Sequence, residues 1–386
     1  MDLNNSKKQI NILAFYLPQF FPFKENNEWW GTGFTEWTNV AKAKPLFKGH
    51  NQPRIPADLG FYDLRVPEVR AQQAEMAKKA GVTAFCYWHY WFGNGKRLLE
   101  RVFDEVLESG KPDFPFCLGW ANHSWYAKTW NKDSENKLLI EQTYPGIDDA
   151  REHFNFLIKA FKDERYVKID NKPFLFIFDP KTLPIEYIEY FNSWAKEAGF
   201  DGIYMVANIK QNENTSTYLS KGYSSVLINR ILMNTTTDIK IDNIKKSVSN
   251  IRNKYPFIDS LLKIRRKMIE MCLKQKPKVV DYSDVYSRLI TDDEYKEEII
   301  PQIVPQWDHT PRSGVYGLAW TNSTPSLFYN HAKEALKAVK NKNNPIIILK
   351  SWNEWGEGNY MEPDLKYGDG FINALRQAID ESNITN

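Results

Sequence analysis

The sequence predicts an α/β fold, a (β/α)8 TIM barrel. Eight short, β-rich apolar runs alternate with helical patterns along the chain. Most of these runs are almost continuously apolar, as strands covered on both faces should be. The rival is a doubly wound open sheet, which should carry a glycine fingerprint after an early strand. Here the first run leads instead into Tyr16-Leu17-Pro18-Gln19-Phe20. One domain over 1–386 is expected, with a basic, helical insertion at 230–298 between strands six and seven.

The elements follow in order. A strand over 10–16 opens the chain. A helix over 67–80 has Pro67 in its first turn, carries Val69, Met76 and Ala80 on one face, and stops before Gly81. Strand two covers 82–88. The helix over 97–109 repeats apolar residues at Leu98, Leu99, Val102 and Val106 and ends before Gly110. Strand three covers 116–120, and the helix over 148–162 begins with acids suited to its positive end. Strand four (174–178), a helix over 184–198 and strand five (203–207) follow. The link to strand six (225–228) is the least helical, with 215–221 as its only candidate. Strand seven (300–307), a helix over 325–340, strand eight (346–352) and a helix over 371–380 complete the set. The sequence shows no internal repeat.

Within the insertion, 240–278 holds 12 Lys+Arg against 3 Asp+Glu. Phe257, Ile258, Leu261, Leu262, Ile264, Met268, Ile269 and Cys272 recur there at roughly helical spacing. A solvated helical hairpin packed on the barrel is one reading. A basic amphipathic element on an anionic membrane face is the other.

Composition bounds the function. In 386 residues, 51 Lys+Arg face 48 Asp+Glu, with 42% hydrophobic and 26% charged residues and a mean hydropathy of −0.55. These values exclude a disordered or collagen-like chain. The near-neutral balance speaks against a nucleic-acid binder. No apolar run reaches the roughly 18–20 residues that cross a bilayer. Residues 1–8 are polar and lack a signal core. The three cysteines, Cys86, Cys117 and Cys272, fit a reducing compartment rather than a disulfide scaffold. The expected location is cytoplasmic, with peripheral inner-membrane contact through 240–278 under the second reading of the insertion.

Aromatic residues reach 15%, with 13 Trp. Twelve of the tryptophans fall at expected strand ends or in the loops after them; Trp194 is the exception. In this barrel class the active site lies at the C-terminal ends of the strands. The clustering therefore points to an aromatic-lined cleft for a flat, weakly polar ligand such as a sugar ring. Glu354 and Glu357 stand three residues apart just past strand eight. Two carboxylates in different environments can divide acid and base roles at a sugar acetal. Flanking tryptophans would hold one of them protonated. By location, the expected ligand contacts are Tyr16, Gln19, Glu36, Trp88, His89, Trp120, Asn122, His123, Trp307, Asp308, Asn353 and Trp355. His89, His123 and Asp308 could instead meet around a metal, but no His-x-x-x-His spacing occurs, and hydroxyl binding is the stronger reading. Neither a Gly-x-Ser-x-Gly elbow nor a Walker loop is present. No cofactor and no metal are expected, and the expected partner is an oligosaccharide or polysaccharide.

Several stretches stand out: Ala14-Phe15-Tyr16-Leu17-Pro18-Gln19-Phe20, the run from Glu28 through Trp37, Lys44-Pro45-Leu46-Phe47, Pro53-Arg54-Ile55-Pro56, Trp352-Asn353-Glu354-Trp355 and Glu362-Pro363-Asp364. Together they resemble the WbsX-type glycosyltransferases of bacterial surface-polysaccharide loci. The resemblance covers almost the whole chain. The C-terminal stretch is also similar to the catalytic motif of glycoside hydrolase family 99, retaining (β/α)8 barrels that use no metal. That resemblance implies Glu357 as general acid/base. It implies Glu354 as the base for the sugar 2-hydroxyl, through an epoxide intermediate. Gly356 departs from the pattern, since those hydrolases carry His there. The carboxylates point to a hydrolase or transglycosylase. The family name points to a transferase using a nucleotide- or lipid-linked sugar in lipopolysaccharide biosynthesis. A non-catalytic glycan-binding barrel would use the aromatic cleft alone.

Overall fold

The computed structural model describes residues 9–127, 137–231 and 276–384. Eight parallel strands form a nearly closed barrel: β1 (Asn11–Tyr16), β2 (Ala84–His89), β3 (Phe116–Trp120), β4 (Lys172–Ile177), β5 (Tyr204–Lys210), β6 (Ser225–Asn229), β7 (Gln302–Ile303) and β8 (Ile346–Leu349). Each strand pairs with the next, and β8 returns to β1 with Leu13 opposite Ile348. Between β6 and β7 the ring is completed by a parallel bridge of Val226 with Ile299. The eight predicted runs are thus the eight strands. The seventh is the shortest because Pro301 and Pro305 bracket it and neither can donate to the ladder.

Parallel neighbours need crossovers, and helices supply them. They are α1 (Pro67–Ala80), α2 (Glu100–Ser109), α3 (Ile147–Phe161), α4 (Ile185–Glu197), α5 (Thr215–Leu219), α6 (Tyr282–Tyr286), α7 (Pro325–Val339) and α8 (Gly370–Ile384). α1 ends where Gly81 takes a left-handed conformation (φ 86°), which the missing side chain permits. α2 starts three residues later than the periodicity predicts, because Leu99 at its N-cap is itself left-handed (φ 59°).

The ring contacts reveal which strand face is the interior. Phe15 of β1 meets Phe176 of β4 at 4.8 Å between centroids. These strands are not neighbours, so the contact crosses the barrel. Phe15 also stacks on Trp88 at 4.5 Å. Strand alternation then sends Tyr16, Tyr87 and His89 outward, under the helices. Tyr87 meets Phe103 of α2 at 5.5 Å.

Of the insertion, the described part contains a strand, Lys278–Asp281, paired in parallel with Leu318–Thr321, and α6. Residues 232–275, with most of the basic run and Cys272, lie outside the described residues. Among the described residues, no helix is long and apolar enough to cross a membrane.

Candidate active site

The catalytic candidates sit on one tight turn. After β8 the chain runs through a short strand, Asn353–Glu354, a 3-10 turn, Trp355–Glu357, and a return strand, Asn359–Tyr360. Gly358 closes the turn with φ 55°. A Cβ there would lie 2.7 Å from Asp308 Cβ, so both conformation and space demand glycine. One turn of helix separates the two glutamates, and Arg312 touches both. Its Nη2 donates to Glu354 Oε1 at 2.6 Å and its Nη1 to Glu357 Oε1 at 2.8 Å. A third carboxylate joins from the loop after β1. Glu36, at the start of a short helix (Glu36–Lys42), accepts from Arg312 Nε at 3.0 Å.

Three carboxylates on one guanidinium keep Arg312 charged despite its burial. Burial pushes the Glu354 carboxyl up to about 8, against the Arg312 charge and with Glu357 and Glu36 adding to the rise. Glu354 is 6% exposed. Tyr90, buried and facing the same charges, has its phenol pushed up by burial and by Glu354. A neutral hydroxyl, a high-pKa carboxyl and a fixed cation therefore share one mouth, a set able to move protons at a bound oxygen atom.

Gly356 explains how Arg312 reaches between the glutamates. A Cβ at 356 would stand 2.2 Å from Glu36 Oε2 and 2.9 Å from Arg312 Nε. The slot that a side chain would fill holds the Glu36–Arg312 pair. Gly356→Ala is therefore expected to force the pair apart and to cost about 1–3 kcal/mol of stability, readable by thermal unfolding.

A second layer fixes the turn. Trp355 stacks on Tyr360 at 3.6 Å and donates through Nε1 to Glu362 at 2.6 Å. Glu362 also accepts from Tyr62 OH at 2.9 Å and Gln73 Nε2 at 2.6 Å, and Gln73 in turn accepts from Tyr16 OH at 2.6 Å. Burial pushes the Glu362 carboxyl up to about 7 in spite of these donors. A raised folded-state pKa stabilises fully below the unfolded value of about 4.5 and is lost as pH rises through 7. The stability of the parent relative to Glu362→Gln should thus fall by about 2–3 kcal/mol from pH 4.5 to pH 8, measured by denaturant unfolding.

Asn353 grips the loop after β1, accepting from Leu17 N at 2.7 Å and donating to Leu17 O at 3.1 Å. Asp308 accepts from His50 Nε2 (2.8 Å), Gln52 Nε2 (2.6 Å) and Thr310 Oγ1 (2.6 Å). Burial would raise its carboxyl, but the His50 bond, the Arg54 charge and the other donors hold it down at about 2. Arg54 donates to Gly358 O at 2.9 Å, and Asp308 N to Glu357 O at 2.7 Å, so this cluster pins the turn that carries Glu354 and Glu357.

These placements correct several expectations about the cleft. Tyr16 faces α1 through Gln73. His89 points outward, Nε2 to Nε2 of His153 on α3 at 2.8 Å, and burial drives both imidazoles toward the neutral form. Trp120 is fully buried and donates to Trp91 O. Asn122 latches β3 to the end of β4, donating to Asp179 O and accepting from Asp179 N. Asp308, Asn353 and Trp355 serve the turn from behind. The metal reading of His89, His123 and Asp308 fails on the same geometry, because His89 leaves the mouth and Asp308 is consumed by His50, Gln52 and Thr310. Most strand-end tryptophans, including Trp37, Trp91, Trp320 and Trp352, are likewise buried and cement loops to the barrel. Trp130 lies outside the described residues.

Trp88 is half-buried and inward-facing, Glu36 belongs to the charge cluster, and His123 packs on Phe178 at 4.8 Å. Trp307 stands beneath Lys350, and Gln19 is half-buried in the loop after β1. Sequence reasoning missed Arg312, Tyr90 and Lys350. Arg312 had a faint signal: it is the one Lys or Arg between 306 and 323.

Residues 12–375 match the family described as Glycosyltransferase WbsX. Two curated relatives, both uncharacterized proteins WxcX from strains of Xanthomonas campestris pv. campestris, are 31% identical over 373 residues, 95% of this chain. The chain spans about half the length of these relatives, 49%. Two solved structures share the fold. One is a glycoside hydrolase-like protein (TM-score 0.55, 16% identity, 98% of this chain and 95% of that one). The other is the GH99 endo-alpha-mannosidase from Bacteroides thetaiotaomicron (TM-score 0.53, 15% identity, 97% and 98%). With its family match over nearly the full length, the chain belongs to the family described as Glycosyltransferase WbsX.

Proposed function

We propose that this protein makes or breaks glycosidic bonds in a bacterial surface polysaccharide or its precursor, with Glu354 and Glu357 as the reacting pair. The observation that carries the reading is the convergence of Glu354, Glu357 and Glu36 on Arg312 at the barrel mouth. In the family 99-like scheme, Glu354 removes the proton of the sugar 2-hydroxyl. The resulting alkoxide displaces the leaving oxygen, which takes its proton from Glu357. Water or another sugar hydroxyl then opens the epoxide, giving its proton to Glu357, while Glu354 returns the first proton to O2. A carboxyl with a raised pKa is a stronger base once ionised, which suits Glu354 to this task. Interception by water makes a hydrolase; interception by a sugar makes a transglycosylase. We favour these two outcomes.

A second reading, transfer from a nucleotide- or lipid-linked sugar, draws support from the family's description. A cytoplasmic, biosynthetic setting suits it, with 240–278 touching the membrane. Product analysis by mass spectrometry separates the readings. The purified full chain is incubated with polysaccharide from its own host, with and without nucleotide sugars and lipid-linked donors, beside an E354Q/E357Q control. Shortened or rearranged chains without a donor support the first reading. Extension that requires a donor supports the second. Glycan binding without turnover supports a non-catalytic barrel.

A further inference from the structure

We propose that Lys350 binds an anionic substituent, a carboxylate or a phosphate, on the saccharide that occupies the cleft. The inference rests on the reading of the cleft as a saccharide site. Lys350 directly follows β8, and its backbone N–H still donates to Ile303 O at 2.9 Å, so the strand register reaches it. Ile348 stands opposite Leu13, which shares the inner face with Phe15. Two residues on, Lys350 projects inward at the C-terminal end of the barrel. Its Nζ lies over the Trp307 ring, 5.2 Å from the centroid. The side chain is half-buried, and among the described residues no carboxylate pairs with it. It is near enough to Glu354 to favour that group's ionised form.

The acids around it are already committed, since Glu36, Glu354 and Glu357 all bond Arg312. The cation–π contact makes up only part of the hydration that a half-buried ammonium loses. A carboxylate or phosphate on the sugar would complete the coordination of Lys350, and a neutral sugar would leave it incomplete.

The test is an array of neutral, uronate-bearing and phosphate-bearing bacterial oligosaccharides, probed with the full chain and with Lys350→Met and Lys350→Arg. The parent should favour acidic over matched neutral glycans by roughly 10–100-fold, the range of one charge-assisted bond. Lys350→Met should lose that preference at unchanged circular dichroism and unfolding temperature, and Lys350→Arg should keep most of it. The uronate and phosphate spots identify the source of the charge. Equal affinity for acidic and neutral glycans, or a preference that survives Lys350→Met, overturns the proposal alone. Binding to no glycan at all overturns the saccharide reading and this inference with it.

Discussion

Glu357→Gln should lower turnover of the glycan by about 10²–10⁴-fold, the usual contribution of a positioned acid–base group. The substitution keeps the size of the side chain and its oxygen acceptor for Arg312 Nη1, so the turn should stay in place. What it removes is the exchangeable proton. Glu354→Gln should cost a similar factor by removing the base. The double variant should lose little more than the worse single one, because the two groups act in one proton circuit. Initial rates on the product-forming glycan, paired with its binding affinity, check this. Affinity should hold while rate falls. A normal rate in Glu357→Gln would take that residue out of the mechanism.

Arg312→Met should destabilise the fold by about 3 kcal/mol at pH 8, the lower part of the roughly 3–5 kcal/mol cost of removing one partner from a buried ion pair. The lower part applies because the Arg312 side chain is 24% exposed and water screens what remains. Without the cation, Glu36, Glu354 and Glu357 face one another unneutralised, and each finds its protonated form easier to keep. Proton uptake relieves the repulsion, so the penalty should shrink as pH falls toward 5. The same logic moves activity. If Glu354 must be ionised to act as base, the acid limb of kcat/KM lies near its value of about 8 and shifts upward in Arg312→Met. Arg312→Lys keeps the charge but not the fork that spans both glutamates, so its shift should be smaller. Unfolding at pH 5 and pH 8 and a pH–rate profile measure both effects. A stability loss with an unmoved limb would confine Arg312 to holding the turn together.

Sequence and tertiary structure divide the account along a physical line. Strands, helices and the Glu354-x-x-Glu357 pair were legible because each is a local property. A run such as Ile346–Leu349 is apolar whichever neighbours it finds, Gly81 and Gly110 stop helices by their own backbone freedom, and three residues of spacing place two glutamates on one turn. The barrel followed from the order of those elements. Which side of each strand is the inside was not legible. Alternation separates Trp88 from His89, and Phe15 from Tyr16, without saying which of the two meets the cleft. Only closure of the ring, seen where Phe15 touches Phe176, decides it. For the same reason, the tryptophans that sequence position placed at the mouth proved mostly to be packing. The charge cluster lay further still from view, because Glu36 and Arg312 are 276 positions apart and meet only when the loops after β1 and β7 fold over the same turn. The sequence by itself determined the barrel and the carboxylate pair. The tertiary structure decided the environment of that pair: the one cation it shares, the glycine slot that admits that cation, and the burial that raises Glu354. Long-range contacts alone set burial and charge.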